Sequence, residues 1–452
     1  MIELKPFEPL GQIQVPPSKS IAQRLIIMSV FADGETLIRN AGASGDVLSA
    51  IGAAQALGAS IAGLSTGAGA QAPRALRILP AAEGAVARNT VIDCGESATL
   101  ARMLSPILPA ADLSRKSFST YIVTGSKSLL ERPMEETARF LASLGIHCSP
   151  RDGRLPMLIS GTLRSGIHRA RSPDSSQPVS GALLGLSLVP GNSLLVVREP
   201  ESPQYIMLTM ELANRAGAKI EYERKGALCL WQVQGGRKFS LPDTTVKHDW
   251  RSAALLLAAA GLKGSITVKA MNPGSFQADI KILELLDTFG AKVETTGNED
   301  GTFDYTVSEG KRRPFSADLS GTPDLFPAAA LLAAAGDGES TLYGVHRLAG
   351  KESDRGKELS QLVTGLGALC AVQGDAMLIR GRDAFSDCRL AISADHRIVM
   401  AAMLASSRLQ NGASMVLQLD TDATIAEATG KSYPEFASDF TALGGKFYEQ
   451  SR

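Results

Sequence analysis

Residues 288–293 read TFGAKV, and five other stretches repeat the phrase: ALGASI (56–61), SLGIHC (143–148), RAGAKI (215–220), GLGALC (365–370) and ALGGKF (442–447). Each joins a helix-like run to a short β-rich run through one glycine: Gly58, Gly145, Gly217, Gly290, Gly367 or Gly444. Glycine at the end of a helix turns into the left-handed conformation that a Cβ penalises. The six glycines recur at intervals of roughly 70–90 residues, too long for a simple solenoid.

A second feature recurs six times: a polar opening, an Ala/Leu-rich helix, a Gly turn, then a β-rich run. The openings are Ser18-Lys19-Ser20, Gly95-Glu96-Ser97, Ser175-Ser176-Gln177, His248-Asp249-Trp250, Pro323-Asp324-Leu325 and Asp395-His396-Arg397. SAALLLAAAGLKGSITV (252–268) and FPAAALLAAAGDGESTL (326–342) show the pattern most clearly. Helices apolar nearly all round belong between other layers. The unit is thus about two helices and several strands, and three units per half give two similar lobes. The expected crossings lie near residues 18 and 247, so 1–18 with 248–452 form one lobe and 19–247 the other. Helix starts at equivalent places can converge. Each carries unpaired N–H groups and partial positive charge, which favours an anionic ligand.

Composition narrows the partners. Lys+Arg and Asp+Glu both number 46 in the 452 residues, so the net charge is zero, which disfavours a general nucleic-acid binder. Hydrophobic residues at 44% allow a large core. Cys94, Cys148, Cys229, Cys370 and Cys388 are odd in number and form no CxxC pair, which fits reduced thiols in the cytoplasm. No signal peptide is visible at the N-terminus, and apolar runs such as 253–261 and 328–335 are too short to span a bilayer. There is no GxxxxGK loop, no GxGxxG after a strand and no GxSxG elbow. The histidines show no metal-ligand spacing. No metal, no cofactor and no membrane partner are expected, and a monomer is.

Nine segments carry candidate chemistry. In PPSKSIAQR (16–24), Ser18 or Ser20 can cap a helix, with Lys19 at its positive end and Arg24 on the Ser20 face. CGESATLAR (94–102) offers small residues for close backbone approach. In SKSLLERPM (126–134), Pro133 biases Arg132 toward an extended backbone. DSSQP (174–178) and ESPQY (201–205) supply neutral donors. DLSGTPDLFP (318–327) places Asp324 at a helix start, where a plain N-cap is the ordinary reading. GKESDR (350–355) packs Lys351, Glu352, Asp354 and Arg355 together, and in isolation reads as a solvated loop. ADHRIVMAAML (394–404) opens a buried-looking helix with Arg397, a poor place for an unpaired charge. TGKSYPEF (429–436) puts Lys431 in a turn.

Singly these are weak. As an ordered set running from Ser18 to Phe436, the chain resembles the 5-enolpyruvylshikimate-3-phosphate synthase family. The resemblance implies an α/β (α+β) fold: a two-lobed inside-out α/β barrel, each lobe three βαβαββ units. The six repeats agree with that independently. It implies transfer of the enolpyruvyl group of phosphoenolpyruvate to the 5-hydroxyl of shikimate 3-phosphate. It assigns Lys19, Ser20, Arg24, Ser175, Ser176, Gln177, Ser202, Tyr205, Asp324 and Lys351 to shikimate 3-phosphate. Lys19, Ala98, Arg132, Gln177, Arg355, Arg397 and Lys431 would hold phosphoenolpyruvate. Asp324 would act as base, Glu352 as acid, and Lys19 would share proton transfer. Acid duty near neutral pH asks for burial or nearby negative charge at Glu352.

The chain departs from the family pattern in places. Pro17 and Ala98 stand where glycine is usual, and Ala349 where arginine is common. The Ala98 methyl would point toward phosphoenolpyruvate and crowd the longer inhibitor glyphosate more. His248-Asp249-Trp250-Arg251 replaces a Gly-Asp-Ala-Ser segment, which is expected to make the crossing bulkier. Two rivals stand beside this reading. A UDP-N-acetylglucosamine enolpyruvyl transferase would carry a Cys before the Arg132-Pro133 pair, and 126–131 has none. A non-catalytic relative would have no need of both Asp324 and Glu352.

Overall fold

In the computed structural model the described residues are 1–65, 74–82, 90–110, 120–241 and 243–449. They fall into two compact units, Pro17–Lys247 and Met1–Pro16 with His248–Arg452. The division falls after Pro16, two residues before the crossing expected from the sequence.

The 17–247 unit carries α1 (Lys19–Val30), α2 (Gly45–Ala56), α3 (Ala98–Ile107), α4 (Glu135–Ser143), α5 (Ser176–Leu188) and α6 (Pro203–Arg215). The other carries α7 (Trp250–Leu262), α8 (Ile282–Phe289), α9 (Phe326–Ala335), α10 (Arg355–Gly365), α11 (His396–Ala405), α12 (Ile425–Gly430) and α13 (Phe436–Ala442). Among the described residues the strands form six four-stranded sheets, each with one parallel pair at an edge and antiparallel pairing elsewhere. Strands alternate inward and outward. Asn192–Arg198, for example, buries Ser193, Leu195 and Val197 and turns the residues between them outward.

The N-terminus explains why one unit is discontinuous. Ile2–Leu4 is the strand between Met415–Leu419 and Phe447–Glu449, and Leu10–Ile13 runs parallel to Ser265–Met271. In the other unit Asp243–Thr245 returns beside Thr36–Arg39 to complete the first sheet. All six repeat glycines have positive φ, between 78° and 95°. Each therefore reverses the chain from the second helix of a repeat into its strand.

The first helix of each repeat is the core. α9 and α11 are buried at every residue. α7 is buried except at Arg251, α1 except at Lys19 and α3 except at Thr99. α5 leaves Gln177 and its last residue, Leu188, partly open. A helix enclosed on all sides can present polar groups only at its ends, so in these helices the first turn holds the accessible chemistry. The six polar openings read from the sequence all sit at these N-terminal ends.

Trp250 differs from expectation. Its ring does not bulk up the crossing but lies fully buried in the core of its own unit, edge-on to Tyr305 at 5.0 Å. Its indole N–H donates to the Asn272 carbonyl at 2.8 Å, which satisfies the polar edge.

Close helix contact sets where the first turns lie. A Cβ on Gly181 of α5 would stand 2.0 Å from the Met103 carbonyl oxygen and 2.7 Å from Pro106 Cγ, both on α3. Gly181→Ala is therefore expected to destabilise the chain by about 1–3 kcal/mol or more through overpacking. Urea unfolding of the two proteins checks this, and an unchanged midpoint would contradict so close an approach.

Candidate active site

In the 17–247 unit the helix starts are knitted together by buried polar side chains. Gln23 of α1 donates to Ser97 Oγ at 2.6 Å and to the Asp46 carbonyl at 2.9 Å, joining α1, α3 and α2. Ser97 caps α3, accepting from Leu100 N, and Ala98 follows it as a buried first residue. Ser175 caps α5 by accepting from Gln177 N. The Gln177 amide then donates to Thr99 Oγ1 at 3.0 Å, setting the first turns of α5 and α3 side by side. Ser176 is buried next to it.

Arg24 is 1% exposed and ties α1 to α6. Its Nε donates to Thr209 Oγ1 at 2.7 Å, and its Nη atoms donate to the Ser20 and Tyr205 carbonyls. Ser202 opens α6 at φ 44°, a left-handed conformation that costs a serine about 1–3 kcal/mol. Lys19 Nζ lies 2.7 Å from Asp46 Oδ2, and both side chains are largely buried. Arg132 is buried at the end of a 3₁₀ turn with extended backbone (φ −77°, ψ 137°), as its position before Pro133 predicts. Arg102 donates to the Pro133 carbonyl at 3.0 Å and so fixes that segment to α3.

The other unit holds a network of ion pairs. Arg355, the first residue of α10, meets three carboxylates. Its Nε and Nη2 take both oxygens of Asp395 at 2.8 and 3.2 Å. Its Nη1 reaches Asp324 Oδ1 at 2.7 Å, and Nη2 reaches Glu352 Oε2 at 2.7 Å. Lys431 Nζ lies 3.1 Å from Glu352 Oε1, and Lys351 Nζ lies 3.9 Å from Asp324 Oδ1. Asp395 caps α11 by accepting from Arg397 N at 2.9 Å and also receives Ser353 Oγ at 3.2 Å. Arg397 is 1% exposed, and its Nη1 finds no hydrogen-bond partner among the described residues.

Charge states follow from this packing. Burial opposes ionisation of Asp324, but Arg251, Lys351, Arg355 and Arg397 override it and hold the carboxyl well below its ordinary value. Burial also works against the charge on Arg355, and Asp395, Glu352 and Asp324 more than offset this, so its pKa rises. For Lys351 burial dominates, and despite the pull of Asp324 the ammonium falls to about 8. Arg397 is pushed down by burial and by the neighbouring charge of Arg251. A buried guanidinium beside other cations, with one nitrogen unsatisfied, favours an entering carboxylate or phosphate.

Among the sequence candidates, the structure gathers Asp324, Lys351, Glu352, Arg355, Arg397 and Lys431 in one cluster. In the other unit Lys19, Ser20, Ala98, Ser175, Ser176, Gln177, Ser202 and Tyr205 sit in the first turns of α1, α3, α5 and α6 or at their caps, and Arg24 lies one turn further along α1. Several partners escaped the sequence reading: Asp46, Gln23, Thr99, Arg251, Asp279 and Asp395. Asp395 was visible as a helix opening, and its role as the anchor of Arg355 becomes visible only when residues 40 apart meet. Asp279 carried no local signal, and Arg251 stood out only as part of a segment that departs from the family pattern.

Known proteins agree with this architecture. Residues 6–440 match the family model of EPSP synthase (3-phosphoshikimate 1-carboxyvinyltransferase). The chain is 31% identical over 443 residues to the 3-phosphoshikimate 1-carboxyvinyltransferase of Methanocorpusculum labreanum, covering 97% of each protein. It is 28% identical over 451 residues to the protein of the same name from Clostridium kluyveri, covering 100% of this chain and 99% of that one. Its fold is similar to that of the EPSP synthase of Acinetobacter baumannii, with a TM-score of 0.77 at 22% identity over 99% of each chain. It is also similar to that of the enolpyruvyl transferase NikO from Streptomyces tendae, with a TM-score of 0.71 at 17% identity over 99% of this chain and 98% of that one. With its family model matched over nearly its whole length, the chain belongs to the EPSP synthase (3-phosphoshikimate 1-carboxyvinyltransferase) family.

Proposed function

We propose that the chain transfers the enolpyruvyl group of phosphoenolpyruvate to the 5-hydroxyl of shikimate 3-phosphate, releasing phosphate, in aromatic amino acid biosynthesis. The observation that carries this reading is the buried Arg397 guanidinium. It has an unsatisfied nitrogen and stands among Arg355, Arg251 and the acidic pair Asp324 and Glu352. That is the equipment needed to hold a small carboxylate and phosphate beside an acid and a base. The five cysteines form no disulfide, which fits a cytoplasmic enzyme.

In this reading Arg355 and Arg397 take the phosphoenolpyruvate carboxylate, and Lys19, Arg132 and Lys431 take its phosphate. Ala98 and Gln177 border it. Ser20, Arg24, Ser175, Ser176, Gln177, Ser202, Tyr205 and Lys351 serve shikimate 3-phosphate, with Lys19. Asp324 accepts the proton of the 5-hydroxyl as its oxygen bonds to C2 of phosphoenolpyruvate. Glu352 gives a proton to the methylene carbon, yielding a tetrahedral ketal phosphate. Loss of a methyl proton and cleavage of the C–O bond to phosphate then give the enolpyruvyl ether. The cationic neighbours of Asp324 keep it ionised, the charge state a base must have before it accepts a proton. Glu352 is bracketed by Arg355 and Lys431. Substrate anions that draw those cations away leave it partly buried beside negative charge, the condition for an acid.

Phosphate release with both substrates is expected from the chain, and none with UDP-N-acetylglucosamine as acceptor. Asp324→Ala and Glu352→Ala are each expected to lose about 10²–10⁴-fold in kcat, with shikimate 3-phosphate binding retained in calorimetry. Full turnover in either variant overturns its role. A pH dependence follows from Lys351. An anionic ligand binds the protonated form better, so affinity is complete below about 8 and falls as pH rises through that value. Titrating shikimate 3-phosphate binding from pH 6.5 to 9.5 tests this, since Lys351→Arg should remove the step.

A further inference from the structure

Arg251 lies outside every substrate assignment above, yet it touches the proposed base. It is the second residue of α7, and its side chain is 11% exposed. Its Nη1 stands 3.1 Å from Asp324 Oδ2, and its Nε stands 3.5 Å from Oδ1 of Asp279. Asp279 belongs to the 3₁₀ turn Ala278–Lys281 and is itself buried. The two oxygens of Asp324 are thus held by two arginines from different helices, Oδ1 by Arg355 and Oδ2 by Arg251.

The two holds are not equivalent. Arg355 is shared among Asp395, Glu352 and Asp324, and in the reading above it also serves the phosphoenolpyruvate carboxylate. An entering anion draws on the Arg355–Asp324 contact. Arg251 pairs on its other side with Asp279, and the transfer reading assigns it no substrate contact. We propose that Arg251 is the positioning residue of the general base: it keeps Asp324 Oδ2 in place while Arg355 engages substrate, so that Oδ1 is released toward the acceptor hydroxyl. This inference rests on the enolpyruvyl transfer reading. It also gives the base its timing. Held by two arginines, Asp324 is a poor proton acceptor. Held by Arg251 alone, it remains ionised and oriented but becomes more basic. The charged groups facing it are Arg251 from α7, Lys351 from the loop before α10, Arg355 from α10 and Arg397 from α11.

The test compares Arg251→Lys, Arg251→Gln and the double variant Arg251→Gln/Asp279→Asn with the parent. The double variant replaces the buried ion pair with neutral amides, so that Asp279 is not left as an uncompensated charge. Expected for both Gln variants is a loss of kcat of about 10–100-fold, the scale of a misplaced reacting group. KM for phosphoenolpyruvate should stay within about threefold, since uniform binding is untouched. The acid limb of the pH–kcat profile should move to higher pH, because removing a positive charge beside Asp324 raises the pKa of the base. Arg251→Lys, which keeps the charge, should restore most of the limb position. Wild-type kcat in the folded double variant overturns the proposal. So does a loss of kcat matched by a rise in KM with the limb unmoved, which is what a merely structural arginine gives. Absence of phosphate release from the parent overturns the enolpyruvyl transfer reading itself, and with it this inference.

Discussion

Burial of the Ala/Leu-rich helices on every side is the constraint from which the rest of the structure descends. α9 and α11 present no accessible residue, and α1, α3 and α7 present one each, in the first turn. The first turn is where a helix has spare N–H groups and partial positive charge. Lys19, Thr99, Gln177 and Arg251 are therefore placed by the hydrophobic effect as much as by any specific contact. Small side chains make this possible. Alanine lets α7, α9 and α11 pack together, and Gly181 and Gly185 let α5 lie against α3.

Arg355 is the second constraint. It is 1% exposed and joins Asp395, Asp324 and Glu352, which sit before α11, in the 3₁₀ turn before α9 and in the loop before α10. A buried ion pair is weak evidence for stability, because desolvation offsets most of the attraction. Its worth here is positional. One rigid fork sets the places of three carboxylates relative to one another. The same packing leaves Arg397 short of a partner.

The two units use different means to the same end. In the 17–247 unit, neutral groups dominate: Gln23, Ser97, Thr99 and Gln177 link helix starts through hydrogen bonds. In the other, ion pairs do the linking. Neutral donors suit hydroxyls and a phosphate, whose recognition is directional. Charged networks suit proton transfer, because moving one charge shifts the proton affinity of the next.

Much of this was legible in the chain itself. Recurrence of Gly58, Gly145, Gly217, Gly290, Gly367 and Gly444 foretold six equivalent reversals, because only glycine takes positive φ freely, and all six take it. Apolarity all round foretold buried helices, and polar openings foretold which ends hold the accessible polar side chains. These are local properties, fixed by a few neighbouring residues. What the chain could not display were partnerships across long separations. Arg251 is 28 residues from Asp279 and 73 from Asp324, and Asp46 is 27 from Lys19. Coulomb attraction and hydrogen bonding act through space, so only the folded arrangement decided which carboxylate each cation would hold.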